Sequence, residues 1–404
     1  MNGRNEFPYS GKNLEDVQLQ NRATVLQILH SKGRISRREL ASLTGLTPST
    51  ITYITKDLLE KDLIVETGAL VGRKGRRAIA LEINPNSRFV IGVRLARGYI
   101  TCGLFNLNAR LLQSERVEIS SLRQAGEVLT AVKDTIRKTL QNSGVADKVK
   151  AIGIAAPGPL SIREGKVAFI SNFPGWRDIP LKEIIQSEFH IETIVEHDAH
   201  AAALAEKWFG AAQEVENLIY VANGRGVGAG IILNGQVYHG SSGMAGEIGH
   251  TSIDFNGPRC ECGNYGCLEI YCSGSAVLRK AKKMIEEGME ETILSKVDPL
   301  TLQAILEAAK HEDKLAVALV KEAATYMAYG VVNLINTFHP DMVILGDEMA
   351  EAGEIWVDTV KEVALTRLLP EVANRVEIIG SSLKGDSFLT GTGTVAIEYL
   401  LRNP

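Results

Sequence analysis

Between Asp16 and Ser31 the apolar residues Val25, Leu26, Ile28 and Leu29 recur at helical spacing until Gly33 ends the run, which predicts a first helix. Ser36-Arg37-Arg38-Glu39 has the Ser-x-x-Glu form in which each side chain satisfies a free amide of the first turn, so a short second helix is expected through Leu43. Thr44-Gly45-Leu46 reads as a tight turn. Thr47 before Pro48 is a good N-cap with proline at the first helical position, and Ile51, Ile54 and Leu58 mark the apolar face of a third helix ending near Lys61. Alternation in Ile64-Val65 and in Ala78-Ile79-Ala80-Leu81 predicts two strands joined by a hairpin. Asn84 to Ser87 is a linker. After it, Phe89 to Ala96 and Tyr99 to Phe105 read as two strands, and Ala125 to Asn142 as a helix. A buried strand, Val149 to Ala156, runs into Pro157-Gly158-Pro159, and a strand from Ile194 ends in polar residues before a helix from Ala199 to Phe209. Leu218 to Leu233 repeats the strand-turn-strand of the first hairpin, which suggests a duplicated lobe with a cleft between the copies. Strands alternating with helices make the body an α/β fold.

At about 100° per residue the third helix presents Ser49, Thr52, Tyr53 and Lys56 opposite its apolar face. A short helix, a glycine turn and a second helix with a hydroxyl-rich outer face is what major-groove reading requires: hydroxyls and tyrosine bond base edges or phosphates, and lysine anchors on the backbone. Ser36, Thr47 and Thr50, at the starts of the two helices, complete the candidate contacts there. The hairpin carries Val71-Gly72-Arg73-Lys74-Gly75-Arg76-Arg77, a wing whose Arg73, Lys74, Arg76 and Arg77 can reach phosphates or the minor groove. The first three helices and this hairpin are therefore a winged helix-turn-helix.

Charge sharpens the division. Residues 1–84 hold 13 Lys+Arg and 9 Asp+Glu, a net of +4, in a chain of 404 residues whose overall charge is -4. The overall balance excludes a wholly basic nucleic-acid binder but not a basic module on an acidic body. No apolar stretch approaches the ~18 residues of a membrane span, and the first sixteen residues lack the apolar core of a signal peptide, so a cytoplasmic protein with no membrane partner is expected.

Five cysteines are too few for a disulfide framework. Three of them, in Cys260-x-Cys262-x4-Cys267, share one loop, and His250 ten residues earlier can supply the fourth ligand of a tetrahedral Cys3His set, which zinc fits. Four ligands leave no position for an activated water, so the ion is read as structural. Packing cysteines are the alternative, and the glycines and polar residues around them offer little apolar core. Cys102 and Cys272 have no such partners and read as buried small hydrophobes or free thiols.

Gly246-Glu247-Ile248-Gly249-His250 followed by Cys260-Glu-Cys262-Gly-Asn-Tyr-Gly-Cys267-Leu-Glu269, with Asn172-Phe-Pro-Gly-Trp176 and Glu196-His197-Asp198 upstream, resembles the ROK family of repressors, open reading frames and sugar kinases. The resemblance covers essentially the whole chain and is to the branch of xylose- and N-acetylglucosamine-type repressors, in which a winged helix-turn-helix is fused to a two-lobed actin-like (ribonuclease H-like) sugar-kinase body. It implies a DNA-binding domain over 1–84, one lobe over 85–198 with a C-terminal helix at about 385–404, and a second lobe over 199–384 carrying the zinc loop and a dimer interface. It also implies a sugar held by Gly158, Asn172, His197, Asp198, Glu247, His250 and Glu269. Carboxylates suit a pyranose because each accepts from two neighbouring hydroxyls. His250 can bind zinc through one ring nitrogen and sugar through the other. His197 departs from the asparagine usual in the family's kinases.

Those kinases use the equivalent of Asp198 as general base and cradle ATP phosphates in glycine-rich hairpins. Here Gly92-Val93-Arg94-Leu95-Ala96-Arg97-Gly98 stands where they resemble Asp-x-Gly-Gly-Thr: Arg94 replaces the acid, Ala96 and Arg97 the glycines, and Gly98 the threonine. Arg225 stands where a threonine is common in the second hairpin, and Leu345-Gly346-Asp347-Glu348 lacks a glycine usual near the adenine. No ATP is expected. The reading is a non-enzymatic homodimer, or a tetramer of paired dimers, that represses carbohydrate genes from a palindromic operator and is released by an unphosphorylated sugar. Capture by a sugar-transport protein is a further mode in relatives. A hexose or N-acylhexosamine kinase with an accessory DNA-binding domain is the alternative.

Overall fold

The structure is a computed structural model, and it describes residues 13–70, 78–96, 98–122, 124–170, 175–288, 292–383 and 386–404. The wing residues Arg73, Lys74, Arg76 and Arg77, and also Arg97 and Asn172, lie outside the described residues.

The N-terminal unit comprises α1 (Leu14–Lys32), β1 (Ile35–Ser36), α2 (Arg37–Thr44), α3 (Pro48–Glu60), β2 (Ile64–Leu70) and β3 (Ala78–Ile83). Val25, Leu26, Leu29, Leu40, Ile51, Ile54 and Leu58 are buried together, the apolar stripes of the three helices turned toward one another. Both helix starts are capped as their sequences require: Ser36 and Glu39 form a capping box, and Thr47 Oγ1 accepts from the Thr50 amide with Pro48 beside it. Gly45 takes the left-handed conformation (φ 69°) that closes the turn between α2 and α3. The strands pair in the order β1-β3-β2. A strand of two residues has no alternation to read, which is why β1 was not anticipated.

The body is two sheets of the same design. In the first lobe β4 (Phe89–Leu95), β5 (Tyr99–Asn106) and β6 (Leu111–Glu118) run antiparallel, α4 (Ala125–Ser143) follows, and β7 (Val149–Ala156) pairs parallel with β4. A small separate sheet of β8 (Leu160–Ser161), β9 (Lys166–Phe169) and β10 (Arg177–Ile179) forms a flap; then come α5 (Leu181–Phe189), β11 (Glu192–His197), parallel to β7, and α6 (Asp198–Phe209). In the second lobe β12 (Leu218–Asn223), β13 (Val227–Leu233) and β14 (Gln236–Val237) are antiparallel. There follow α7 (Leu268–Cys272), α8 (Gly274–Glu286), α9 (Leu302–Lys310), α10 (Lys314–Phe338), β15 (Met342–Gly346), α11 (Glu354–Leu365), α12 (Pro370–Ala373), β16 (Glu377–Gly380) and α13 (Ser387–Arg402). The strand orders, β11-β7-β4-β5-β6 and, read from the other edge, β16-β15-β12-β13-β14, are the same order with the same directions. The duplication suggested by the two hairpins is thus complete.

Two helices join the sheets. α6 and α13 lie against each other, and α6 also packs on β12 and β13, through Ala199, Ala201, Ala202, Ala203, Tyr220 and Phe388. The approach is close enough to demand glycine: a Cβ at Gly230 would stand 2.0 Å from the Ala199 carbonyl oxygen, and one at Gly391 2.2 Å from that of Ala201. The N-terminal unit shares a core with the first lobe: Leu26 and Leu29 belong to one buried cluster with Val90, Phe105, Ala396 and Leu400, and α1 packs on α13.

The sequence reading expected no stretch apolar enough to span a membrane, yet α10, 25 residues long, meets that test by length and composition. Its 18-residue apolar window is 61% buried inside the molecule, where α10 packs against α11 and the second sheet's core. A helix apolar around most of its circumference is expected at such a place.

Candidate functional site

A cavity of about 420 Å³ lies between the lobes. Gly158, His197, Asp198, Glu247, His250 and Glu269 all line it. His197 ends β11 and Asp198 begins α6, where free helix amides favour a carboxylate; Asp198 Oδ1 accepts from the Ala199 amide at 2.7 Å. The His197 ring is held between two carboxylates, with Nδ1 3.4 Å from Asp198 Oδ1 and Nε2 3.6 Å from Glu247 Oε1. Glu269 Oε2 accepts from the Val227 amide at 2.9 Å, which ties α7 to the second hairpin. Gly158 has φ 87°, and a Cβ there would meet the Phe169 carbonyl oxygen at 2.4 Å. Its glycine therefore also has a packing reason, since it seats the flap.

The flap supplies lining residues that sequence reasoning missed. Phe169 and Arg177 reach the cavity from β9 and β10, with the guanidinium 5.9 Å from the ring centroid. Tyr99 and Glu261 line it too. A single aromatic or arginine in a short irregular segment carries no spacing signal by which it might have been found.

A second, larger opening of about 1040 Å³ adjoins the first and shares Arg94, Tyr99, Arg225, Asp347 and Glu348 with it. Arg94 stands at the junction. Its guanidinium donates to Asp386 Oδ1 at 3.0 Å, lies 3.6 Å from Asp347 Oδ1 and stacks over Phe388 at 4.0 Å. Arg94 comes from the first sheet and Asp347 follows β15 of the second, so the pair straps one lobe to the other. Burial pushes the Asp347 carboxyl up to about 7 against the opposing pull of Arg94, with Glu348 and Asp198 adding to the rise. Arg225 reaches across from the other hairpin: a Cβ on Gly98 would stand 3.2 Å from its Nη2. Ala96 and Gly98 line the inner cavity.

The cysteine loop forms one wall. His250 Nδ1 is 3.8 Å from Cys260 Sγ, Cys262 Sγ is 3.7 Å from Cys267 Sγ, and all four candidate ligand atoms lie within 4.8 Å of one another. A tetrahedral ion with bonds of ~2.3 Å to sulfur and ~2.0 Å to nitrogen sets ligand separations of about 3.5–3.8 Å, so the residues fit a structural metal. Burial pushes the Cys267 thiol up to about 12, and a dication among the sulfurs reverses that logic. Because Nδ1 faces the sulfurs while the residue lines the cavity, His250 joins the two sites.

On the N-terminal unit Ser49, Thr52, Tyr53 and Lys56 are exposed along α3, with Tyr53 at 59%. Thr47 Oγ1 is 2.9 Å from the hydroxyls of both Ser49 and Thr50, a cluster at the start of the helix. Ser36, expected among the DNA contacts, is instead buried: its hydroxyl donates to Glu39 at 2.7 Å and its backbone pairs with Ala80. A hydroxyl committed to a cap and a strand edge has nothing left to offer DNA.

The ROK family pattern matches residues 90–398, and a winged helix-turn-helix DNA-binding pattern matches residues 20–65. The xylose repressor of Caldicellulosiruptor bescii is 33% identical over 387 residues, which is 95% of this chain and 97% of that protein. The crystal structure of a ROK family transcriptional regulator, a homologue of the Escherichia coli MLC protein, superposes with a TM-score of 0.84 at 30% identity, covering 96% of this chain and 97% of that one. A ROK family glucokinase from Streptomyces griseus, in complex with glucose and AMPPNP, superposes with a TM-score of 0.68 at 29% identity over 76% of this chain and 99% of its own.

Proposed function

The chain belongs to the ROK family, and from that membership we propose that it is a sugar-responsive DNA-binding transcriptional repressor of carbohydrate uptake or catabolism genes, released from its operator by an unphosphorylated sugar. One observation carries the reading: a head with a helix-turn-helix shares its core with a lobe that also walls a carboxylate-lined cavity. His197, Asp198, Glu247, His250 and Glu269, with Gly158 and Asn172, hold the sugar, each carboxylate accepting from neighbouring hydroxyls. The relatives are named for different sugars, so pocket shape decides among xylose, glucose and N-acetylglucosamine. A ligand preferring the closed cleft shifts the lobe equilibrium by its differential affinity, and in a homodimer, or a tetramer of paired dimers, that changes the spacing of two heads on a palindromic operator. Thr47, Ser49, Thr50, Thr52, Tyr53 and Lys56 read or anchor DNA, and Arg73, Lys74, Arg76 and Arg77 form the wing. Zinc occupies the Cys3His cluster as a structural ion.

A kinase reading draws on Asp198 and on the glucokinase fold. Against it, Arg94 stands in place of the kinases' acid at the junction of the two openings and is paired to both neighbouring aspartates, which supports a chain that neither binds ATP nor phosphorylates sugar.

The test is fluorescence anisotropy of the full-length protein on DNA from upstream of its own gene, titrated with unphosphorylated sugars at fixed salt. Release by one sugar is the expected result and names the effector. Binding indifferent to every sugar replaces it with capture by a sugar-transport protein, and sugar-dependent ATP hydrolysis without DNA binding overturns the reading. Arg76→Ala with Arg77→Ala is expected to weaken DNA binding; unchanged affinity removes the wing from the interface.

A further inference from the structure

Beside the sugar cavity, three residues that the preceding reading does not use converge from different elements. Glu196 sits near the end of β11, His200 one helical turn further on in α6, and His239 in the segment after β14 of the second lobe. Glu196 Oε1 is 3.1 Å from His200 Nδ1 and Oε2 is 2.8 Å from His239 Nε2. We propose that Glu196, His200 and His239 form a second transition-metal site, separate from the cysteine cluster, with two imidazoles and one carboxylate as ligands and open positions for water or a ligand.

The donor set points to a borderline cation such as zinc, cobalt, nickel or copper. Tetrahedral bonds of ~2.0–2.1 Å place nitrogen and oxygen ligands about 3.3 Å apart. The candidate ligand atoms all lie within 4.8 Å of one another, so an ion needs only small side-chain shifts to reach all three. Burial argues the same way. Glu196 and His200 are buried, at 5% and 0% exposure, whereas the His239 side chain is 34% exposed and gives an entry path. His200 directs its one polar contact at Glu196, because its Nε2 is buried with no hydrogen-bond partner among the described residues. Glu398 and Arg402 of α13 lie nearby and pair with each other, and among the described residues no lysine or arginine bonds Glu196. Glu196 Oε1 also accepts from the His197 amide at 2.9 Å, and a dication adds the full positive charge that this buried carboxylate otherwise lacks beside that amide and two imidazoles. On binding, each imidazole nitrogen facing Glu196 gives up its proton and donates its lone pair to the ion.

The site spans both lobes. The Ala245 amide donates to the His239 carbonyl at 3.1 Å, closing a loop that leads directly to Glu247. Metal at His239 therefore fixes Glu247 relative to His197.

The experiment strips the full-length protein with a chelator and titrates it with Co2+, followed by absorption and by metal analysis. Cobalt at the cysteine loop gives a thiolate charge-transfer band; cobalt at the proposed site gives ligand-field bands without one. The expected result is one equivalent per chain that adds no charge transfer, present in the wild type and in Cys262→Ser, and lost in His239→Ala with the circular dichroism spectrum unchanged. His239 is partly exposed, so its substitution tests the site without emptying a core position. No equivalent lacking charge transfer, or one that persists in His239→Ala, overturns the proposal, whatever the cysteine loop binds.

Discussion

Arg94→Ala removes the strap between the lobes, and its cost follows from the contacts. The guanidinium side chain is 14% exposed and makes one charge-assisted hydrogen bond to Asp386, worth ~1.5–3 kcal/mol, and one stacking contact over Phe388, worth ~0.5–2 kcal/mol. A loss of about 2–5 kcal/mol is therefore expected near pH 6 in urea unfolding. Asp347 adds a pH signature. Its folded carboxyl is raised to about 7 while the unfolded value is about 3.9, so between those values the native state holds a proton that the unfolded chain has released. The group's stabilising contribution is complete below about pH 4, falls by about 1.4 kcal/mol per pH unit and is exhausted near pH 7 in the wild type. Without Arg94 the carboxyl rises further and the decline continues above pH 7. The difference between wild type and Arg94→Ala should thus be flat from about pH 5 to about pH 7 and widen above it by about 1.4 kcal/mol per unit. In an Asp347→Asn background the widening should vanish. A difference below ~0.5 kcal/mol, the size of an exposed ion pair, or one that stays constant up to about pH 8.5 refutes the strap.

Lys56→Ala should weaken binding of all DNA sequences alike and lower the slope of log affinity on log salt by about 1, as measured by anisotropy; Tyr53→Ala should weaken operator binding more than binding to unrelated DNA. Cys262→Ser should lower the melting temperature of the cysteine loop's lobe and weaken the sugar response while leaving sugar-free DNA affinity intact, and unchanged sugar affinity in the metal-free protein rules out coupling through His250. Burial lowers His30 from 6.5 to about 4 despite its contact with the Leu107 carbonyl, so its contribution is whole above about pH 6.5 and is lost towards pH 4, at roughly 3 kcal/mol. His30→Gln should flatten that acid limb in urea titrations.

What the sequence made legible and what it hid divide along physical lines. The capping box at Ser36, the Thr47-Pro48 start and the glycine turn at Gly45 are local interactions, and the structure repeats them nearly residue for residue. The paired lobes were visible only as two similar hairpins, because the strands that complete each sheet, β11 beside β7 and β16 beside β15, are joined through long intervening segments. The same Ser36 shows the limit: its cap was readable, but its pairing with Ala80, far along the chain, was not, and that pairing removes it from the DNA face. Of the cavity between the lobes, the motif residues on strand ends and tight turns were found to line it, whereas Phe169, Arg177 and Tyr99 arrive from a flap and from the start of β5, whose positions only tertiary packing sets. Arg94 was recognised as the loss of an acid. That it gains Asp347 and Asp386 as partners depends on elements more than 250 residues away.

The placement of α6 supplies a reason for the cavity and the DNA-reading unit to respond together. At its N-terminus are His197 and Asp198; at its C-terminus the Trp208 ring lies 4.5 Å from the ring of His30 in α1, and His30 Nε2 is 3.1 Å from the Leu107 carbonyl oxygen. Between these ends α6 is pressed between α13 and the second sheet, with Gly391 and Gly230 removing any side chain that would hold them apart. A helix so enclosed cannot bend away from a change at Asp198, because interfaces packed at backbone contact shift as rigid units rather than deform. The N-terminal unit has its core in common with the first lobe and with α13, so it follows that lobe. Closure of the cavity from the Glu247 side must then move the second lobe against α6, and the DNA-reading face moves relative to the second lobe by the same rotation. Gly230→Ala puts a Cβ 2.0 Å from the Ala199 carbonyl oxygen and so must push α6, with Asp198 at its start, off the second sheet; a lowered melting temperature together with a weakened sugar response is expected, and an unchanged melting temperature refutes the backbone-close contact.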